Sequence, residues 1–133
     1  MSLFNVFGIS GSGMSAQSVR LNLTASNIAN SESVASEPGK AYKARHPVFQ
    51  TVLEDNLSGG VRTTAVVEDN KAGEARYQPD HPLADDNGYV YASNVNPVEE
   101  MANMIAASRS YQQNVEVMNT SKELLLRTLQ LGE

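Results

Sequence analysis

The strongest constraint in this chain is a run without a helix breaker: from Val98 to Leu131 there is neither Gly nor Pro. A start signal precedes it. Asn96 stands at the N-cap, Pro97 at the first helical position and Glu99 at the third, a capping box with Asn in the Ser/Thr place. Gly132 follows where a helix stop belongs. At 1.5 Å per residue a helix over that span is about 50 Å long, which is long for a chain of 133 residues. Its spacing is heptad-like. Met101, Met104, Ser108, Tyr111, Val115, Met118, Lys122, Leu125 and Leu129 step by threes and fours, with Ser108 and Lys122 as the breaks. Ile105, Leu124 and Leu126 widen the stripe beyond a two-stranded seam. The stripe could pack as a core helix on its own domain, yet the chain is short for covering a helix of that length, and part of it is expected to meet something else.

The N-terminal segment has the same habit: Met14, Ser18, Leu21, Ala25 and Ile28 also step by four and three. Small residues alternate with large ones along this seam, which lets helices approach closely. Gly11 and Gly13 are expected to break or fray the helix near "SGSGM". Further on, "LNLTASNIANSES" places Asn22, Asn27 and Asn30 where a helix prefers Ala, Lys or Glu. An amide buried between helices must be hydrogen-bonded and so penalises wrong registers. On that reading Asn27→Leu keeps or raises helix content while damaging assembly. Each Asn could instead face solvent, and Asn30 could simply end the helix.

The middle holds four of the five prolines and reads as β-structure. "YKARHPVFQTVL" suggests an edge strand. "GGVRTTAVVED" suggests a strand after a Gly-Gly turn, with Val61, Thr63, Ala65 and Val67 on one face. "ADDNGYVYAS" suggests a turn at Asp86-Asn87-Gly88 leading into a short strand, Tyr89 to Ala92. Residues 31 to 40 look like a flexible connector. The expected fold class is α+β: an N-terminal helix and a long C-terminal helix packed antiparallel in coiled-coil fashion, with a small β insert between them. The expected segments are 1–33, 34–95 and 96–133.

Chemistry is sparse. There is no Cys, so no disulfide, thiolate metal site or cysteine nucleophile is available. The net charge is −5 and no basic cluster is evident in the sequence, which argues against nucleic acid and anionic membrane as partners. No apolar run reaches the roughly 18 residues of a membrane span, and no secretory signal is legible. His81 lies among Asp80, Asp85 and Asp86, but the spacing matches no zinc or calcium motif, and the flanking prolines favour a rigid turn. His46 before Pro47 reads as packing. "GISGSGMS" lacks the P-loop Lys. No nucleophile is paired with a base. An enzyme is not expected, nor a cofactor; a hydrolase using a metal on Asp80, His81 and Asp85 is the weakest reading. A monomeric module gripping a partner with its C-terminal helix is the principal alternative to a self-assembling subunit.

Certain residues also carry a resemblance. Ser12, Gly13, Met14 and Ala16, then Leu21, Ala25, Asn27, Ile28, Ala29 and Asn30, resemble the N-terminal signature of bacterial flagellar rod and hook proteins, the axial family. That family often continues with Thr three residues later, where this chain has Ser33. Pro79 to Pro82, Gly88-Tyr89-Val90, Asn94 to Pro97 and the helix motif Ser108 to Asn119 are similar to the small proximal-rod members. The short insert fits them too. The resemblance implies a structural subunit of the basal-body rod, exported unfolded by the flagellar type III apparatus without a cleaved signal. It implies a torque-transmitting tube of terminal helices across the periplasm. Partners would be copies of itself, other rod subunits and export-gate or adaptor proteins. The contact surface between subunits is then expected to draw on Met14, Leu21, Ala25, Asn27, Ile28 and Asn30, and on Met101, Met104, Ile105, Tyr111, Val115, Met118, Leu125 and Leu129.

Overall fold

The structure, a computed structural model, describes residues 3–54 and 58–132. Met1, Ser2 and Glu133, the outermost residues of the expected terminal segments, lie outside the described residues. In chain order the elements are α1 (Leu3–Ala29), β1 (Val34–Ala35), β2 (Arg45–Glu54), β3 (Ser58–Glu68), β4 (Ala75–Tyr77), β5 (Tyr89–Ala92) and α2 (Pro97–Leu131). The class is α+β, as expected: two helices with β-structure between them. The chain forms two compact units. One comprises Met1–Leu21, Pro47–Ala65 and Ile105–Glu133, the other Asn22–His46 and Val66–Met104.

In the first unit α1 and α2 run antiparallel. A Cβ placed on Gly13 would lie 3.0 to 3.2 Å from the Asn114 amide group, and one on Gly11 would lie 4.0 Å from Met118 Cε. This contact explains why α1 does not break at Gly11 and Gly13, contrary to the sequence expectation. Each glycine costs a helix about 1 kcal/mol, and packing against the partner helix, closest at Gly13, offsets that cost. The ribbon formed by β2 and β3 is pinned to α1 through one hydroxyl. Ser12 Oγ accepts the Val61 N–H at 3.1 Å and donates to the Ile9 carbonyl at 2.8 Å. Gly59 and Gly60 lie inside β3 rather than in a turn before it. Gly60 passes over Ser12, where a Cβ would come within 3.3 Å of Oγ, so the glycine marks a close approach instead of a reversal.

In the second unit β5 is the centre of a three-stranded antiparallel sheet of order β1-β5-β4. Val34 pairs with Ala92, and Ala75, Arg76 and Tyr77 pair with Tyr91, Val90 and Tyr89. Val90 and Ala92 are buried, as are Ala44 and Val95 of the same unit. Neither β1 nor β4 was legible in the sequence. β1 has two residues, and the three residues of β4 are all exposed, so neither carries the alternation that marks a strand. Both take their register from β5. The stretch expected to be a connector therefore includes a paired strand.

The turn before β5 forms as expected. Asp85 Oδ1 accepts the N–H groups of Asn87 (2.9 Å) and Tyr89 (2.8 Å), Oδ2 accepts the Tyr91 hydroxyl at 3.1 Å, and Gly88 takes a φ of +82°. The Tyr89 N–H bond, with those of Asn87, Tyr91 and Gly88, holds the Asp85 carboxyl below its ordinary 3.8 against a smaller opposing effect of desolvation. Asn96 Oδ1 caps α2, accepting from Val98 at 3.1 Å and from Glu99 at 3.4 Å. At the far end the Gly132 N–H bonds to the Leu129 carbonyl at 3.2 Å.

Two outcomes are expected. Gly73→Ala places a Cβ on top of the Ala92 carbonyl oxygen, so it should lower stability by about 2 kcal/mol or more. Gly39→Ala, with open space around it, should change stability by no more than ~0.5 kcal/mol. Thermal melts of the two variants compare them directly. The depressed Asp85 carboxyl stabilises the fold above its unfolded value of 3.8 and loses that contribution as pH falls through the lower folded value. The melting temperature gap between wild type and Asp85→Ala should therefore narrow on acidification from neutral pH.

Candidate functional site

Asn27 is the side chain around which the second unit is arranged. It is fully buried on α1, and all four of its hydrogen-bonding positions are used. Nδ2 donates to the Arg45 carbonyl at 2.9 Å and to Glu100 Oε2 at 3.0 Å. Oδ1 accepts the Tyr42 hydroxyl at 2.9 Å and the Arg45 N–H at 2.9 Å. One amide thus joins α1, the first turn of α2 and the chain leading into β2. Glu100, only 3 % exposed, finds its donor here. Further contacts hold the loop in place: Ser26 Oγ lies 3.2 Å from Tyr42 Oη, the Arg45 guanidinium stands 5.7 Å from the Tyr42 ring centroid, and Arg45 Nε is 3.4 Å from Glu68 Oε1.

Asn94 plays a parallel part. Its Oδ1 accepts the Ala44 N–H at 2.7 Å, while Nδ2 donates to the carbonyls of Asp69 (3.0 Å) and Lys71 (2.9 Å).

Of the other two asparagines, Asn22 faces solvent. Asn30 closes the helix end, donating from Nδ2 to the Ser26 carbonyl at 2.8 Å. Asn27 alone among the three is the buried amide that the sequence raised as a possibility.

The buried positions of the helices are small or polar. On α1 they are Ser10, Ala16, Thr24 and Asn27; on α2 they are Glu100, Ala107 and Ser121, spaced by multiples of seven, with Asn114 half-buried between them. Several of the polar ones satisfy themselves locally. Ser121 Oγ donates to the Val117 carbonyl at 2.8 Å and Asn114 Nδ2 to the Ser110 carbonyl at 2.9 Å. The large apolar residues flank these positions. Met14, Leu21, Ile28, Met104, Val115, Met118 and Leu125 are half-buried, whereas Ala25, Met101 (54 %), Ile105 (55 %), Tyr111 and Leu129 (68 %) are exposed. Within one chain, then, small residues occupy the middle of the helix contact and the apolar stripe of α2 is left partly uncovered.

Elsewhere the side chains do structural work. His81 Nδ1 accepts the Leu83 N–H at 3.1 Å, and both Asp85 oxygens are engaged in the turn. Among the described residues no group of three or more His, Cys, Asp or Glu could hold a metal ion. No helix among them is long and apolar enough to cross a membrane. One charge feature was not evident in the sequence: Lys40, Lys43 and Arg45 line a single recess with Glu68. Lys40 is paired to Glu37 at 2.7 Å and Arg45 to Glu68, so much of that charge is compensated.

Residues 8–34, which contain Asn27, match the family model described as Flagella basal body rod protein. Residues 86–131, which contain Asn94 and Glu100, match the one described as Flagellar basal body rod FlgEFG protein C-terminal. The flagellar basal-body rod protein FlgC of Yersinia enterocolitica is 50% identical over 134 residues, covering 100% of both chains. FlgC of Salmonella typhimurium is 48% identical over 134 residues, and FlgC of Buchnera aphidicola subsp. Schizaphis graminum 46% over 136, again over 100% of each chain. The chain belongs to the FlgC family of flagellar basal-body rod proteins. In this FlgC-family chain the two matched segments supply the two sides of the Asn27–Glu100 bond. Tyr42 and Arg45, which complete the network, lie outside both.

Because every bond of the Asn27 amide is internal, Asn27→Leu is not the mild change expected from helix propensity alone. It removes the partner of both backbone groups of Arg45 and of the buried Glu100 carboxylate, and leaves the Tyr42 hydroxyl with Ser26 alone. The expected loss is about 3–5 kcal/mol, read from a denaturant titration. A variant as stable as wild type would show that the network contributes nothing.

Proposed function

We propose that this FlgC-family chain is a structural subunit of the proximal rod of the bacterial flagellar basal body, polymerising through its terminal helices into the axial tube that transmits torque. The observation that carries the reading is the pairing of full-length identity to FlgC proteins with an α2 stripe that the chain itself leaves uncovered. An exposed apolar stripe of this kind marks a surface that another protein covers. Each of Met101, Ile105 and Leu129 covered on assembly contributes about 1–2 kcal/mol, enough in sum to select the assembled state.

On this reading residues 1–33 and 96–133 form the axial core and residues 34–95 the insert. The contact surface draws on the expected set apart from Asn27, whose bonds are all internal; the exposure of Met101, Ile105, Tyr111 and Leu129 supports their part in it. Neighbours are further copies of the chain and other rod subunits, and export-gate or adaptor proteins meet it on the way. It resides in the periplasmic part of the basal body, delivered without a cleaved signal, and acts as a building block rather than a catalyst. The alternative of a monomeric binding module is not favoured by the relationship to rod proteins.

Electron microscopy of basal bodies from cells lacking the chain tests the reading. Rings without rod, hook or filament are expected, and complete rotating flagella would overturn it. The double variant Met101→Asp, Ile105→Asp should stay folded by circular dichroism yet abolish swimming.

A further inference from the structure

This inference deepens the rod-subunit reading, on which it rests, by naming a contact. We propose that the carboxy-terminal end of α2 in one copy docks into the groove between α1 and the β2–β3 ribbon of a second copy. The two surfaces lie on the same unit but differ, so the contact is heterologous and repeats from copy to copy.

The donor surface is an overhang. Gly13 faces Asn114 and Gly11 faces Met118. Counting one residue for one along the antiparallel helices from these contacts brings Leu3 level with Leu124 to Leu126. Leu129 and Leu131 therefore run past the first described residue of α1. Leu131 is 89 % exposed, and Leu124, Leu126 and Leu129 are exposed with it. Among the described residues no other stretch presents so many exposed leucines within so few positions. The last turn of α2 also contains no basic residue, so its terminal carbonyls keep the negative end of the helix dipole uncompensated.

The acceptor surface has the matching character. A recess of about 500 Å³ lies between the start of α1 and the ribbon, lined by Phe4, Gly8, Ile9, Val52, Gly59 and Arg62, among others. Nothing comes within 4 Å of a Cβ built on Gly8 or Gly59, so an incoming helix can approach the backbone there. Arg62 is the only charged residue in the lining and forms no ion pair among the described residues. It is placed at the groove to meet a carbonyl end. The Ser12–Val61 bond fixes the ribbon against α1, so the groove exists before anything enters it. A head-to-tail contact between unlike patches builds an open polymer, whereas a self-complementary patch closes as a dimer.

The absence of Cys makes the test clean. Gly59→Cys and Leu131→Cys are introduced together in the only copy of the chain, and isolated basal bodies are oxidised mildly. A ladder of trimers and larger species is expected, at least tenfold above either single variant, since one Cys per chain cannot exceed a dimer. An intrachain disulfide, dimers only, or no cross-link in basal bodies that contain the chain would overturn the docking while leaving the rod-subunit reading intact. Independently of cysteine chemistry, Leu129→Asp with Leu131→Asp should reduce swimming at least tenfold with unchanged circular dichroism. Unimpaired swimming overturns the proposal.

Discussion

A buried primary amide has two donors and two acceptor sites, and all four must be met or the burial is costly. Asn27, on α1, meets that requirement with groups drawn from two other places in the chain: Tyr42 and Arg45 at the entry into β2, and Glu100 in the first turn of α2. None of these groups is well placed unless the others are. The amide therefore makes the order of the loop, the entry into β2 and the depth of Glu100 conditional on one another. Asn94 repeats the device on backbone groups alone, clamping Ala44 to Asp69 and Lys71. In a chain with few large buried apolar side chains, such networks carry specificity that a larger core would otherwise supply.

The helices follow the same economy. Glycine, alanine and serine in the middle of the contact bring the backbones close and push large side chains to the flanks. A subunit built for packing alone would do the reverse and bury its leucines. Here Met101 and four leucines of α2 remain exposed and its other leucine and methionines are only half-buried, in keeping with a part whose stability is completed by neighbours. The cost of leaving them exposed is borne by the isolated chain.

What the sequence revealed follows the range of the interactions involved. The cap at Asn96-Pro97, the Asp85–Gly88 turn and strand β5 were legible because their hydrogen bonds join residues within a few positions. Asn27 was legible as an amide in need of partners, but the partners were not: Tyr42, Arg45 and Glu100 lie 15, 18 and 73 residues away. Glu100 in particular read as an acid in the first turn of a helix, a position that needs no burial. The glycines were misread for the same reason. At Gly13 and Gly60 another element passes close by, and a local reading takes such a glycine as a break or a turn. Gly73 gave no local sign at all, since its constraint is the Ala92 carbonyl.

The seven-residue recurrence of Glu100, Ala107, Asn114 and Ser121 has an implication for sliding. A contact surface that repeats offers nearly equivalent fits when one helix is displaced along the other by a heptad, because small side chains follow small ones. Ser121 and Asn114 bond to carbonyls of their own helix, so neither would object to the displacement. The site of Asn27 distinguishes the alternatives most sharply: a slipped helix would offer it the methyl group of Ala107 in place of a carboxylate. A shaft loaded in torsion needs a key as well as a smooth bearing surface, and in this chain the key is a single amide.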